Sequence, residues 1–198
     1  VGQRSSRSLP PVTSTTGHMA KITHIPLPPL EFLEESLILD PASPSGLRWK
    51  KLQQPCQRKP GDVAGGHSDK GYWKVNLTYN GTKKGYRAHR IVVYMLTKID
   101  PGKNQVDHAQ ERSSNHDVRI ATHSQNMANR FKTKRNTSSR YKGVYWNTGC
   151  NKWLAKISIN NKRIHLGVFV DEIDAAKAYN EAAVKYFGAF AKINLFSD

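Results

Sequence analysis

After Tyr141 the chain becomes strictly patterned. "YKGVYW", "KWLAKISI" and "KRIHLGVF" are short runs rich in β-branched and aromatic residues, parted by Asn147-Thr148-Gly149 and Asn160-Asn161, whose side chains suit tight turns. In the middle run Lys152, Leu154, Lys156 and Ser158 share one parity, and Trp153, Ala155 and Ile157 share the other. A strand there sends a mostly polar set to one face and an apolar set to the opposite face. Between Asp171 and Phe187, Ile173, Ala176, Tyr179, Ala183 and Tyr186 recur along one side of a helix, and Gly188 ends it. The expected unit is a three-stranded antiparallel sheet packed on one helix.

Charge says what the uncovered sheet face meets. The 198 residues hold 31 Lys and Arg against 15 Asp and Glu, a formal charge of +16. Val118 to Val170 contains eleven Lys and Arg and no Asp or Glu. An ordinary solvated surface mixes both signs, so a one-sided run predicts a polyanionic partner, nucleic acid above all. No apolar run approaches the roughly 20 residues of a membrane span, and no membrane or small-molecule cofactor is expected. Cys56 and Cys150 are too few for a structural zinc ribbon and read as unpaired thiols or, at most, one disulfide. The expected setting is the inside of a cell.

Upstream, residues 1–19 are polar and tag-like and are set aside, with Met19 as the expected start. The spacing predicts a short helix over 30–39, then a turn into a strand. Over 61–90 it predicts a β-hairpin turning at Asn80-Gly81. "AHRIVVYMLT" reads as a helix despite its β-branched run, and "QVDH" as a short strand. A helix over 122–131 opens on Thr122 and Gln125, a capping box. Residues 132–140, cationic and without apolar periodicity, read as a linker.

The run from Gln105 to Asn126, "QVDHAQERSSNHDVRIATHSQN", carries another kind of signal. Asp107 offers a carboxylate for a hard divalent cation, and the neighbouring His108 imidazole can take a proton near neutral pH. Phosphodiester hydrolysis needs both functions. Either His123 or Asn126, on one face of the capped helix, supplies a second ligand. Adjacent residues of a regular strand point to opposite faces, so Asp107 and His108 share a site only where the strand ends or bends. A plain polar surface loop is the competing reading.

"GYRAHRIVVYML", "NQVDHA" and "DVRIATHSQNMANR" resemble the HNH endonucleases of mobile introns and phages. The resemblance implies an α+β chain whose residues 20–131 form a ββα-metal nuclease unit binding one Mg2+ or Mn2+. It makes His108 the general base, and Asp107 and Asn126 the metal ligands. Where that family carries an Asn, Asp117 stands here, with Asn115 two residues earlier as a substitute. Arg87, His89, Arg90 and Arg119 fall where the resemblance implies phosphate contact or bracing, and Arg130 joins the cationic stretch that follows.

Residues 141–198 resemble the Apetala/ethylene-response-factor DNA-binding domain through "YKGV", "KW.AKI", "LG.F", "AA.AYN.AA" and "A..NL". The resemblance implies that the sheet, not the helix, enters the major groove. It places contacts at Lys142, Tyr145, Lys152, Lys156, Ser158, Arg163 and His165, with Lys132, Lys134, Arg135 and Arg140 gripping the backbone from the linker. Trp146 reads either as core packing or as stacking on sugar or base. The expected function is a metal-dependent homing-type endonuclease acting as a monomer on DNA, in a bacterial or phage-infected cell. A DNA-binding protein with a degenerate nuclease half is the alternative, and RNA binding is a third.

Overall fold

A computed structural model describes residues 25–51, 58–67, 71–109, 115–132 and 137–196. Among these, no helix is long and apolar enough to cross a membrane.

The first unit opens with α1, Leu30–Ser36, followed by two short paired strands, β1 (Leu37–Leu39) and β2 (Leu47–Trp49). The helix expected to reach residue 39 stops earlier because Leu37, Ile38 and Leu39 pair antiparallel with Trp49, Arg48 and Leu47. Pairing buries Leu37 and turns Ile38 outward. A second sheet has the order β3 (Gly66–His67), β4 (Trp73–Tyr79), β5 (Thr82–Arg87). Along β4, Val75 and Leu77 are buried while Lys74 and Asn76 are exposed, the expected period of two. Asn80 and Gly81 both take positive φ, 49° and 70°, as a two-residue hairpin turn requires. Helix α2, Ala88–Thr97, follows directly. Its buried Ala88, Ile91, Val92 and Met95 are spaced 0, 3, 4, 7, which decides helix over strand for this β-branched run. They pack with Leu33, Leu47, Trp49, Val75 and Leu77 into one core.

Next come β6 (Gln105–His108) and β7 (Val118–Ala121), an antiparallel pair, and α3 (His123–Asn129). The sequence reading missed β7. Thr122 and Gln125 make the full reciprocal capping box at the start of α3.

The last unit is the sheet β10 (Lys162–Phe169), β9 (Lys152–Ile159), β8 (Val144–Asn147), all antiparallel, covered by α4 (Glu172–Phe187). The Asp171 carboxylate caps α4 by accepting from the Ile173 and Asp174 amides. A 3-10 turn, Gly188–Phe190, ends the helix. The buried stripe of α4 is Ala175, Ala176, Tyr179, Ala182, Ala183 and Phe187. The expected stripe is corrected at its ends, since Ile173 and Tyr186 are exposed. Four alanines let the helix lie close to the sheet, with Tyr179 seated in the middle of the stripe. Gly143, φ 77°, lies under Tyr179, where a Cβ would stand 2.0 Å from the ring.

Helix α3 joins the two halves. Its Ala128 is buried with Ile157, Tyr179, Ala182, Ala183 and Phe187 of the last unit. The described residues of the expected linker are also tied down. Lys132 Nζ donates to the Ser139 and Tyr141 carbonyls, and Ser138 Oγ accepts from the Trp146 amide. Lys134 and Arg135 lie outside the described residues.

Candidate nucleic-acid interface and the Asp107 cluster

Register defines the outer face of the last sheet. Lys156 pairs with His165, Ser158 with Arg163, Tyr145 with Leu154, and Asn147 with Lys152. Tyr145, Lys152, Ser158, Arg163 and His165 are exposed and Lys156 is half-buried. The Lys156 ammonium lies 4.7 Å from the Tyr145 ring centroid and that of Lys132 lies 5.9 Å away, so cationic charge collects around an aromatic plate. Among the described residues, the unit's acidic side chains Asp171, Glu172, Asp174 and Glu181 belong to α4 and its cap, on the covered side. The outer face is thus uniformly cationic or neutral. Trp146 meets Trp153 edge to face, centroids 5.0 Å apart, while remaining 39% exposed.

Several cations expected on DNA hold the protein together instead. Lys142 Nζ donates to the carbonyls of Met127, Ala128 and Arg130 at the C-terminal end of α3, where four carbonyls lack helical partners. Burial, with Lys192 and Arg130 nearby, lowers its pKa to about 8. Arg90 donates to the Gly102 and Asn104 carbonyls, fixing the loop after α2. His89 is 6% exposed, and its pKa is pushed down to about 3 by burial first and then by His108, Arg87 and Arg90. In this structure Lys142 and Arg90 hold backbone carbonyls and His89 is buried, where exposed DNA contacts were expected. Arg87, Arg130 and Arg140 are exposed, Arg87 over the Tyr72 ring at 4.4 Å and Arg140 over Tyr141 at 5.0 Å.

In the ββα segment Asp107 is 6% exposed and directly opposite Arg119. Arg119 Nε and Nη2 donate to Asp107 Oδ2 at 3.2 and 3.1 Å. Its Nη1 donates to the Ala189 carbonyl at 2.9 Å, and the guanidinium lies 3.8 Å over the Phe190 ring. Arg119 is thus a brace running from β7 to the last unit.

The helix residue that meets Asp107 is Asn129. Its Nδ2 donates to both carboxylate oxygens, at 3.1 and 2.9 Å, and to the His108 carbonyl at 2.8 Å. Asn126, expected there, lies one turn earlier and donates to Gln105 Oε1. His123 Nδ1 shares a hydrogen bond with Gln105 Nε2 at 3.0 Å. Two rungs result, because Gln105 and Asp107 share a strand parity and residues 126 and 129 share a helix face. Residues 105 and 129 were missed, although the 105/107 and 126/129 spacings were legible.

Asp107 and His108 diverge as a regular strand requires. The His108 ring faces His89, centroids 5.8 Å apart, and its buried Nδ1 has no hydrogen-bond partner among the described residues. Asn115 Nδ2 donates to the Pro44 carbonyl, tying this loop to the β1–β2 turn. Ala109 N–H donates to the Asp117 carbonyl. Among the described residues no group of three or more His, Cys, Asp or Glu could hold a metal ion. As arranged, the Asp107 oxygens are filled by protein donors, so these residues do not fit a bound cation without rearranging.

No family model matches the chain. Over 57 residues, 29% of its length, it is 46% identical to an AP2/ERF and B3 domain-containing protein of Oryza sativa subsp. japonica. Over 59 residues, also 29% of its length, it is 37% identical to an APETALA2-like protein 2 of Oryza sativa, in subsp. indica and japonica alike. These matches span 15% and 13% of the relatives' own lengths. The chain therefore contains a segment similar to an AP2/ERF domain. The matches bear on that resemblance and not on the nuclease one. The relatives are rice proteins, so the expected bacterial or phage setting gains no support.

Proposed function

We propose that this chain binds double-stranded DNA through the outer face of β8, β9 and β10. The observation that carries the reading is a fixed register that holds Tyr145, Lys152, Lys156, Ser158, Arg163 and His165 on one uncovered face within a stretch free of carboxylates. A major groove is wide enough for paired β-strands, and α4 backs the three strands of this sheet. Lys156 and Arg163 neutralise phosphate or reach base edges, and Arg163 has the planar fork for guanine. The segment's similarity to AP2/ERF domains supports the same reading.

Anisotropy of a labelled duplex, measured against salt, tests it. Each phosphate contact adds about 0.9 to the slope of log affinity on log salt. Lys156→Ala with Arg163→Ala is expected to weaken binding and lower that slope by about 1 to 2. An unchanged slope rejects the sheet face as the DNA surface, and preference for structured RNA in competition rejects duplex DNA as the partner.

A second reading, a metal-dependent endonuclease, rests on one specific observation: β6 and α3 set a buried carboxylate beside a helix amide, and the next residue of the strand, His108, has an unpartnered ring nitrogen among the described residues. It requires Asn129 to turn its amide so that oxygen, not nitrogen, faces the Asp107 hollow. Nicking of supercoiled plasmid in Mg2+ or Mn2+, abolished by His108→Ala while duplex binding persists, supports it. No nicking in either metal rejects it and leaves the binding protein.

A further inference from the structure

Where the linker, the residues leading into the last sheet and the C-terminal tail converge, a cavity of about 300 Å3 opens. Its walls combine apolar side chains, Phe131, Ile193 and Leu195, with the cations of Arg140 and Lys192 and, deeper, Lys132 and Lys142. Among the described residues no carboxylate lines it, and Glu172 acts electrostatically on Lys132.

The four cations differ in what they have left to give. The Lys142 ammonium is spent on three carbonyls and that of Lys132 on two. Among the described residues, Lys192 and Arg140 have only aromatic faces, Phe131 at 3.8 Å and Tyr141 at 5.0 Å. Crowding is costly here: burial together with Lys192 and Arg130 lowers the pKa of Lys142. The tail forming one wall is fixed. Asn194 accepts from the Lys142 amide and donates to its carbonyl, and it exchanges two further bonds with Asn180.

We infer that this joint pocket holds a nucleoside-phosphate unit, its phosphate on Lys192 and Arg140 and its sugar or base against Phe131, Ile193 and Leu195. Cations resting on rings beside exposed apolar side chains, Phe131, Ile193 and Leu195, suit an anion carried on an organic body better than a bare ion. Two sources share that chemistry, a nucleotide of bound DNA and a free nucleotide. Lys132, 5.9 Å from the Tyr145 ring, links the pocket to the outer sheet face, so the DNA source rests on the reading above, whereas the free-nucleotide source does not.

The test uses the full chain and Arg140→Gln with Lys192→Gln. Duplex anisotropy against salt reads the first source, and amide chemical shifts on titration with thymidine monophosphate read the second. A slope lower by about 1 to 2 in the double variant establishes a DNA nucleotide. Shifts at Phe131, Lys192 and Leu195 in the parent, absent in the variant, establish a free nucleotide. If the parent binds no duplex, the DNA reading has failed and the titration alone decides. Should the double variant unfold, Leu195→Glu, at a position 80% exposed, sets a carboxylate at the rim and must reproduce the loss. No change of slope together with no shift at these amides overturns the inference.

Discussion

Replacing Arg119 by Met decides whether this arginine is an internal brace or a phosphate clamp. It directs two N–H groups to one oxygen of a carboxylate that is 6% exposed, a third to the Ala189 carbonyl, and its planar face to Phe190. Arg119→Met leaves the Asp107 charge buried with Asn129 as its remaining donor. Removing one partner of a buried pair costs about 3–5 kcal/mol, and the side chain's 23% exposure places this case near the lower end. The lost bond to Ala189 and the Phe190 contact add about 1 to 2 kcal/mol. A total of about 4 kcal/mol lowers the melting temperature of a chain this size by roughly 8–16 °C. Calorimetry and urea unfolding measure it. Asp107→Asn in the same chain removes the stranded charge, so the double variant should lose about 2 kcal/mol less than the two single losses summed. A single-variant cost under about 1 kcal/mol, or strict additivity, refutes the brace and returns Arg119 to the surface cations.

Three further outcomes are expected. Gly143→Ala forces a Cβ to within 2.0 Å of Tyr179 and 2.8 Å of the Lys156 carbonyl at positive φ, so it should cost roughly 3 kcal/mol or more and abolish duplex binding, read by near-UV dichroism and anisotropy. His89 has a folded pKa of about 3 against an ordinary 6.5, so the unfolded chain binds the extra proton between those values. Stability should therefore fall as pH drops from about 6.5 toward 3, and His89→Phe should flatten that part of the parent's curve in urea unfolding. Lys142, depressed to about 8, destabilises while charged, so stability should rise from pH 8 toward 10.5. Lys142→Met should remove about 1–2 kcal/mol of that rise, reduced from full burial because the side chain is partly open to water; parallel melting curves for the two proteins would contradict it.

The last unit was the most legible part of the chain. Its alternation named the strands, Asn turns set their ends, and the Asp171 and Gly188 caps bounded α4. All of these are local rules acting within a few residues. Errors arose where a local pattern met a distant partner. Leu37 to Leu39 has helical spacing but was captured by Trp49 to Leu47, and Val118 to Ala121 became a strand because β6 lay alongside.

Side-chain roles were less legible than elements. A lysine two residues past a cationic linker looks like a phosphate contact, yet Lys142 spends its charge on α3 because chain folding brings three carbonyls at the helix end to it. Asn126 and Asn129 are both plausible beside Asp107 on spacing, and only the docking of α3 on β6 matches Asn129 to Asp107 and Asn126 to Gln105. Sequence alone determined the elements of the final sheet and helix and the one-signed charge of its outer face, since periodicity and composition are local and additive. Tertiary structure decided which cations remain on the surface and how Asp107 is neutralised, because those depend on groups 12 to 70 residues apart in the chain that only folding brings together.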